Sequence, residues 1–313
     1  MKIESVQGPI EVEDLGLTLM HEHVMAVNWG MRMTFNNWIE SESVVSKAVN
    51  SLLKAKRFGL KTIIDATPIN LGRDINILHD VAEKSGIQII AATGLYYTEE
   101  PFLSGWEPSR IVERLMTEVT EGIQGTKIKP GIIKCATGAP EISDTNKKLL
   151  QSAALLHKRT GLPVTTHSSS MNKNGLAQQK ILLEEGVEPR KLIIGHCGET
   201  TDLNYLESLL SKDSYIGLDR FGLDMMCPMR SRADTLIDLC MRGYEKQIVL
   251  SHDYNSHIDW WPPEVLPVFK NDNAPMWSYH HIMEDVIPYL KDRGVSDKKI
   301  STIMVDNPKR IFS

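Results

Sequence analysis

His21 and His23 stand two apart inside the run LTLMHEH, and the period of a β-strand puts both side chains on one face with Glu22 on the other. Both imidazoles then reach toward one ion. An HxH pair is unspecific alone, because surface or core histidines often share that spacing. Further along, His167 closes PVTTH, His196 closes KLIIGHC once Cys197 is set aside, and Asp253 closes QIVLSHD. Polar groups in apolar runs are costly to bury unless satisfied. Either later histidine alone reads as a hydrogen-bonded core residue. Together, four imidazoles and a carboxylate at the ends of four separate apolar runs make a donor set suited to Zn, Mn, Co or Fe. Lys134, inside GIIKCATG, is either a buried ion-paired lysine or something more reactive. Burial beside cations lowers an amine pKa, and a neutral amine adds carbon dioxide to give a carbamate whose two oxygens bridge metals as a carboxylate does. N6-carboxylation of Lys134 is therefore expected.

The elements that must position these groups are short apolar runs at residues 17–23, 61–67, 87–94, 132–138, 163–167, 191–197, 215–220 and 247–253. Their continuous rather than alternating character predicts strands buried on both faces, as in a parallel sheet covered by helices. Segments of helical period such as NKKLLQSAALLHKRTG and LAQQKILLEEG separate them and close on glycine, a common helix stop. Eight β-then-α units with no Pro/Gly/Ser-rich linker predict an α/β fold: a (β/α)8 TIM barrel, with residues 1–313 a single domain. A doubly wound open sheet is the alternative. In a barrel, the strand ends that carry the polar residues form the active-site face. Residues 254–277 follow the eighth strand as a long non-helical insertion, and a loop of that length usually has a function. His79, His157, His280 and His281 fall in helical stretches and read as surface or packing residues. His252 alternates with Asp253 and should point away from the metals.

Composition narrows the classes. Of 313 residues, 42% are hydrophobic and 24% charged, which are globular rather than disordered values. A net charge of −5 and a pI near 6.1 argue against nucleic acid as a partner, since such proteins carry a basic face. Four cysteines without CxxC spacing fit reduced thiols. The first residues show neither a signal-peptide h-region nor a membrane-length run. A cytoplasmic protein acting away from membranes is expected.

Over essentially the whole chain, LTLMHEHV, LGRDI, GIIKCATG, PVTTHS, IGHCGETTD, YIGLDRFGLD, LSHDY and VDNPKRIF resemble the phosphotriesterase family of the amidohydrolase superfamily, especially its phosphotriesterase-like lactonase branch. The resemblance implies two divalent ions, zinc first and Co, Mn or Fe as alternatives. His21, His23 and Asp253 would hold the more buried ion and His167 and His196 the more exposed one. Carboxylated Lys134 would bridge them, with a hydroxide completing the bridge as nucleophile and Asp253 also taking the proton. Tyr96 resembles the lactonase tyrosine that positions the ring. Arg220 would line the pocket; without the resemblance it reads as an ion-pair partner of Asp219 or Asp224. Trp260 stands in a substrate-contacting segment, whereas Trp261, Trp277, Pro262 and Pro263 either wall an apolar pocket or pack the loop. Glu199 stands where relatives more often have Asp, which lengthens any relay through it. Lactone hydrolysis is the implied reaction, with phosphotriesterase or arylesterase activity as a side reaction. The alternatives are an organophosphate triesterase, an N-acyl amide hydrolase and, more distantly, a non-catalytic metal-binding protein. A homodimer is implied as well.

Overall fold

The computed structural model describes residues 1–262 and 264–313; Pro263, one of the expected pocket residues, lies outside the described residues. A hairpin of β1 (Lys2–Ser5) and β2 (Gly8–Glu11) opens the chain. Its strands are too short for sequence periodicity to reveal. The eight expected strands follow as β3 (Leu17–Ala26), β4 (Leu60–Asp65), β5 (Gln88–Gly94), β6 (Ile132–Ala136), β7 (Val164–His167), β8 (Leu192–Ile194), β9 (Tyr215–Leu218) and β10 (Ile248–Leu250). Each pairs in parallel with its sequence neighbour. The described chain adds a further strand, β11 (Asn255–Ile258), which pairs in parallel with β3.

Closure falls at β3. The backbone N–H of Asp253 donates to the carbonyl of His21 at 3.0 Å, the N–H of His21 donates to Ser251 Oγ at 2.7 Å, and Asn255 then aligns with His23. The last strand therefore runs up β3 in two pieces, broken at Asp253, whose φ is 51°. The sheet so closed is the TIM barrel read from the sequence.

Burial on both faces follows from a division of each strand between two cores. Ile64, Ile90, Ile132, Ile193 and Val249 fill the barrel interior, while their neighbours Ile63, Ile89, Ile133, Ile194 and Ile248 pack beneath the helices. On β3 the inner residue is Met20, and the register against β4 shifts between Leu19 and Glu22. Such an irregularity re-aims side chains, and here it lets His21 and His23 both face the mouth. The helices behave as their caps predict: Asp144–Thr160 begins with Ser143 accepting from Asn146 N and ends on Gly161 at φ 72°.

Residues 254–277 are not the non-helical insertion expected. They contain β11 and a helix at Val265–Asn273, because pairing with the exposed end of β3 supplies hydrogen bonds that no local pattern announces. The four cysteines are buried and free. No helix among the described residues is long and apolar enough to cross a membrane.

Candidate metal centre and pocket

Six side chains from five strands or their ends converge at the mouth of the barrel. Lys134 Nζ lies 2.6 Å from His21 Nε2. His23 Nε2 lies 3.0 Å from Asp253 Oδ1, His196 Nε2 lies 2.8 Å from His167 Nδ1, and His196 Nε2 is 4.0 Å from Asp253 Oδ2. His21, His23 and Asp253 form a group able to hold one metal ion.

The far nitrogens of these rings decide what the near ones present. Asp219 accepts from His21 Nδ1 at 2.8 Å, from His196 Nδ1 at 2.9 Å and from the His196 backbone N–H at 2.8 Å. Thr67 Oγ1 lies 2.8 Å from His23 Nδ1 and itself donates to the Met25 carbonyl. With Nδ1 of His21, His23 and His196 carrying the proton, Nε2 of each turns a bare lone pair inward, the tautomer a metal requires. Lone pairs of His21 and His23 then face the Asp253 carboxylate at 3.5 and 3.0 Å. Two imidazole nitrogens and a carboxylate oxygen so close together are the donor set that a divalent ion between them would take, so the residues fit a metal. Asp219 also groups with His21 and His196, but its three N–H donors make it a hydrogen-bond acceptor that orients the rings.

Charge follows the same logic. Burial pushes the Lys134 amine down to about 8, which leaves roughly a tenth of it neutral at pH 7. Burial, and then the neighbouring Lys134, push His21 down to about 3, so it stays neutral. Burial followed by His196 lowers His167 well below the usual imidazole value. Burial works to raise Asp253, but Arg220 and then His196 outweigh it and hold the carboxyl well below the carboxylate range.

Two candidate ligand positions are strained: His196 at φ 59° and Asp253 at φ 51°, a left-handed conformation that residues with a Cβ seldom adopt and that clusters at functional sites. Each sits just past its strand, so the turn aims the side chain inward. Gly94, at φ 110°, abuts Lys134; a Cβ there would lie 2.0 Å from the Lys134 carbonyl oxygen. Only glycine lets the segment leading to Tyr96 lie so close.

Above these groups opens a cavity of about 310 Å³ lined by His21, His23, Lys134, His167, Asp253, Arg220 and Tyr96, with Leu71, Leu223, Ile258, Phe269 and three tryptophans among its walls. Tyr96 is buried, with its hydroxyl 3.5 Å from His167 Nδ1, and burial raises its pKa, so it remains an O–H donor. Asn70 holds its backbone, accepting from Tyr96 N at 2.6 Å. Arg220 corrects the ion-pair expectation. It bonds neither Asp219 nor Asp224; its Nε donates to Asp253 Oδ2 at 2.8 Å and its Nη1 to Glu199. The two histidines had already taken Asp219.

Lining and packing prove compatible roles for the tryptophans. Trp260 is 53% exposed at the rim, Trp261 stacks on Phe269 with centroids 5.1 Å apart, and Trp277, 7% exposed, donates Nε1 to the His252 carbonyl at 2.8 Å. His252 points away from the site, with Nδ1 against Glu22 and Nε2 accepting from Ile282 N. His157 and His281 are buried packing residues; His79 lies on the helix Ile75–Ser85, and His280 sits in a turn rather than a helix. Sequence reading missed Asp219 as the shared anchor, Thr67 and Asn70. Asking what the second ring nitrogen of each candidate histidine bonds would have pointed to Asp219, which stands at the end of its own apolar run.

Comparison with known proteins agrees. The model of the phosphotriesterase family matches residues 1–312. An aryldialkylphosphatase of Saccharolobus solfataricus is 40% identical over 97% of each chain. The solved structure of the phosphotriesterase from Mycobacterium tuberculosis superimposes with a TM-score of 0.94 at 39% identity, covering 100% of this chain and 98% of that one. An N-acetyltaurine hydrolase of Xenopus tropicalis is 27% identical over 99% of this chain and 97% of its own. With its histidines, lysine and aspartate gathered at the mouth of a closed parallel barrel, the chain belongs to the phosphotriesterase family.

Proposed function

We propose that this chain is a binuclear-metal hydrolase of the lactonase branch, opening lactones by carboxylic ester hydrolysis. In this reading His21, His23 and Asp253 hold one divalent ion, His167 and His196 the other, and N6-carboxylated Lys134 joins them. Zinc is the proposed metal, since imidazole and carboxylate donors suit it. Two such ions, when bound, would make a shared water acidic near neutrality and polarise the oxygen of the bond under attack.

The chain's own residues supply the rest. Asp253 is held ionised beside Arg220 and is placed to accept the proton of the attacking water. Arg220 fixes the second oxygen of that carboxylate. Tyr96 directs its hydroxyl into the cavity next to His167 and serves as a donor to a ring or carbonyl oxygen. Leu223, Ile258, Trp260 and Trp261 form the wall against which an acyl chain would lie, excluding water from the bond that breaks. The observation that carries the proposal is this pairing of one neutral hydroxyl donor with an apolar wall beside converging metal donors.

A phosphotriester reading has its own support in the name of the Saccharolobus solfataricus relative, and an N-acyl amide reading in that of the Xenopus one; both would use the same site. A cytoplasmic homodimer of one-domain chains completes the proposal. The test is metal-free protein reconstituted with Zn2+, Co2+ or Mn2+ and assayed on lactones of varied ring size and acyl tail, on aryl phosphotriesters and on N-acyl amides. Two metals per chain and the highest kcat/KM on a lactone are expected. Full metal occupancy without lactone turnover would sink the lactonase reading, and with no turnover of any substrate the enzyme reading as well.

A further inference from the structure

The residue between the two histidines is not a spacer. We infer that Glu22 is a positioning residue that clamps the backbone on both sides of Asp253 and so aims the Asp253 carboxylate. The inference rests on the function proposed above only for the role of Asp253.

Glu22 is wholly buried; burial raises its carboxyl well above the usual range, opposed by the hydrogen bonds of Tyr254, His252 and Ser251, and its two oxygens accept from four donors. Oε1 takes Ser251 Oγ at 3.0 Å, the His252 backbone N–H at 2.9 Å and His252 Nδ1 at 2.8 Å; Oε2 takes the Tyr254 backbone N–H at 2.9 Å. Because His252 Nε2 accepts from Ile282 N at 3.0 Å, its Nδ1 bears the proton and donates. The two oxygens of one carboxylate thus grip residues 252 and 254, leaving Asp253 between them at φ 51°. That conformation is unfavourable for a residue with a Cβ and persists only where its surroundings over-determine it.

The neighbours of Glu22 on β3 complete the grip. The His21 carbonyl accepts from Asp253 N at 3.0 Å, and His23 N donates to the Tyr254 carbonyl at 3.0 Å. Three consecutive residues of β3 therefore measure out the chain at 252–254, and the strand that offers two imidazoles to the site also sets the angle from which the carboxylate meets them. Glutamine could not replace Glu22 here, since its amide nitrogen would oppose one of the four donors. Aspartate would be too short to reach both sides of the turn.

The experiment is Glu22→Gln in the full chain reconstituted with Zn2+. Its kcat should fall by about tenfold or more with KM changed less than about threefold, and half-saturation should need about tenfold more free Zn2+. A merely structural role would lower thermal stability and leave kcat and Zn2+ affinity of the folded protein within about twofold of wild type, which would overturn the inference. Should the variant not fold, amide exchange on metal-free wild type decides: protection of the His252 and Tyr254 N–H groups matching that of β10 is expected. Exchange there as fast as in the helix Val265–Asn273 would refute the clamp. If wild type turns over no substrate, the functional reading fails while the Zn2+ and exchange measurements still judge the clamp. If wild type is active and Glu22→Gln equals it, the clamp alone fails.

Discussion

Lys134 is the residue on which the proposed centre depends most, because an unmodified ammonium 2.6 Å from an imidazole lone pair neutralises no metal charge. Lys134→Ala should abolish activity, and short carboxylic acids such as acetate or propionate should restore part of it by supplying the missing bridge; full activity without additive would refute carboxylation. The same chemistry has a pH sign. Only the neutral amine adds carbon dioxide, and burial places its pKa at about 8. Below that value the reactive fraction grows about tenfold per pH unit, levelling above it. Reactivation of metal-free protein by Zn2+ and bicarbonate should therefore quicken from about pH 6 to about 8, followed as the rate of activity regain; a rate that falls over this range would contradict the assignment.

Among elements, the LGRDI segment does structural work at the back of the site. Arg73 is buried, donates to the Ala92 carbonyl at 2.7 Å and pairs with Glu118 from the helix Pro108–Thr120, which also accepts from Thr93 Oγ1 at 2.7 Å. This pair ties the helix to the end of β5, just before Gly94 and Tyr96. Removing one partner of a buried pair strands the other charge, so Glu118→Ala should cost about 3 kcal/mol, read as a shift in denaturation midpoint. A cost within about 0.5 kcal/mol would show that water replaces the carboxylate. Strand ends are the other lesson at this scale. Polar residues closing apolar runs were legible in the sequence as candidate ligands because burial makes them expensive without a partner, but the left-handed turns at His196 and Asp253 were not, since φ depends on what holds the turn from outside.

For the whole molecule, the proposed ligands lie on β3, β6, β7 and the segments after β8 and β10, so a metal held by them would tie together strands from across the barrel. Chelation should lower the thermal midpoint, because metal held by the folded chain alone contributes about 2.7 kcal/mol at a concentration a hundred times its Kd. Calorimetry with and without chelator checks this, and an unchanged midpoint would mean that the donors do not gather on a metal. The apolar cavity also belongs to this scale. Its walls come from Leu71, Leu223, Ile258 and the tryptophans of residues 254–277, far apart along the chain, so substrate fit could not be read from any single segment.

Eight strands, their parallel order and six candidate ligands were already written in the order of residues, because a strand buried on both faces must be apolar throughout and any ionisable group at its end then stands out. Partnership was not. Arg220 chose Asp253 and Glu199 over its sequence neighbours, Asp219 served two histidines, Glu22 turned away from the candidate ligands to grip the chain around Asp253, and β11 formed where only a loop was expected. Each outcome joins residues distant in sequence, and hydrogen-bond partners are settled by three-dimensional proximity, which local pattern does not encode.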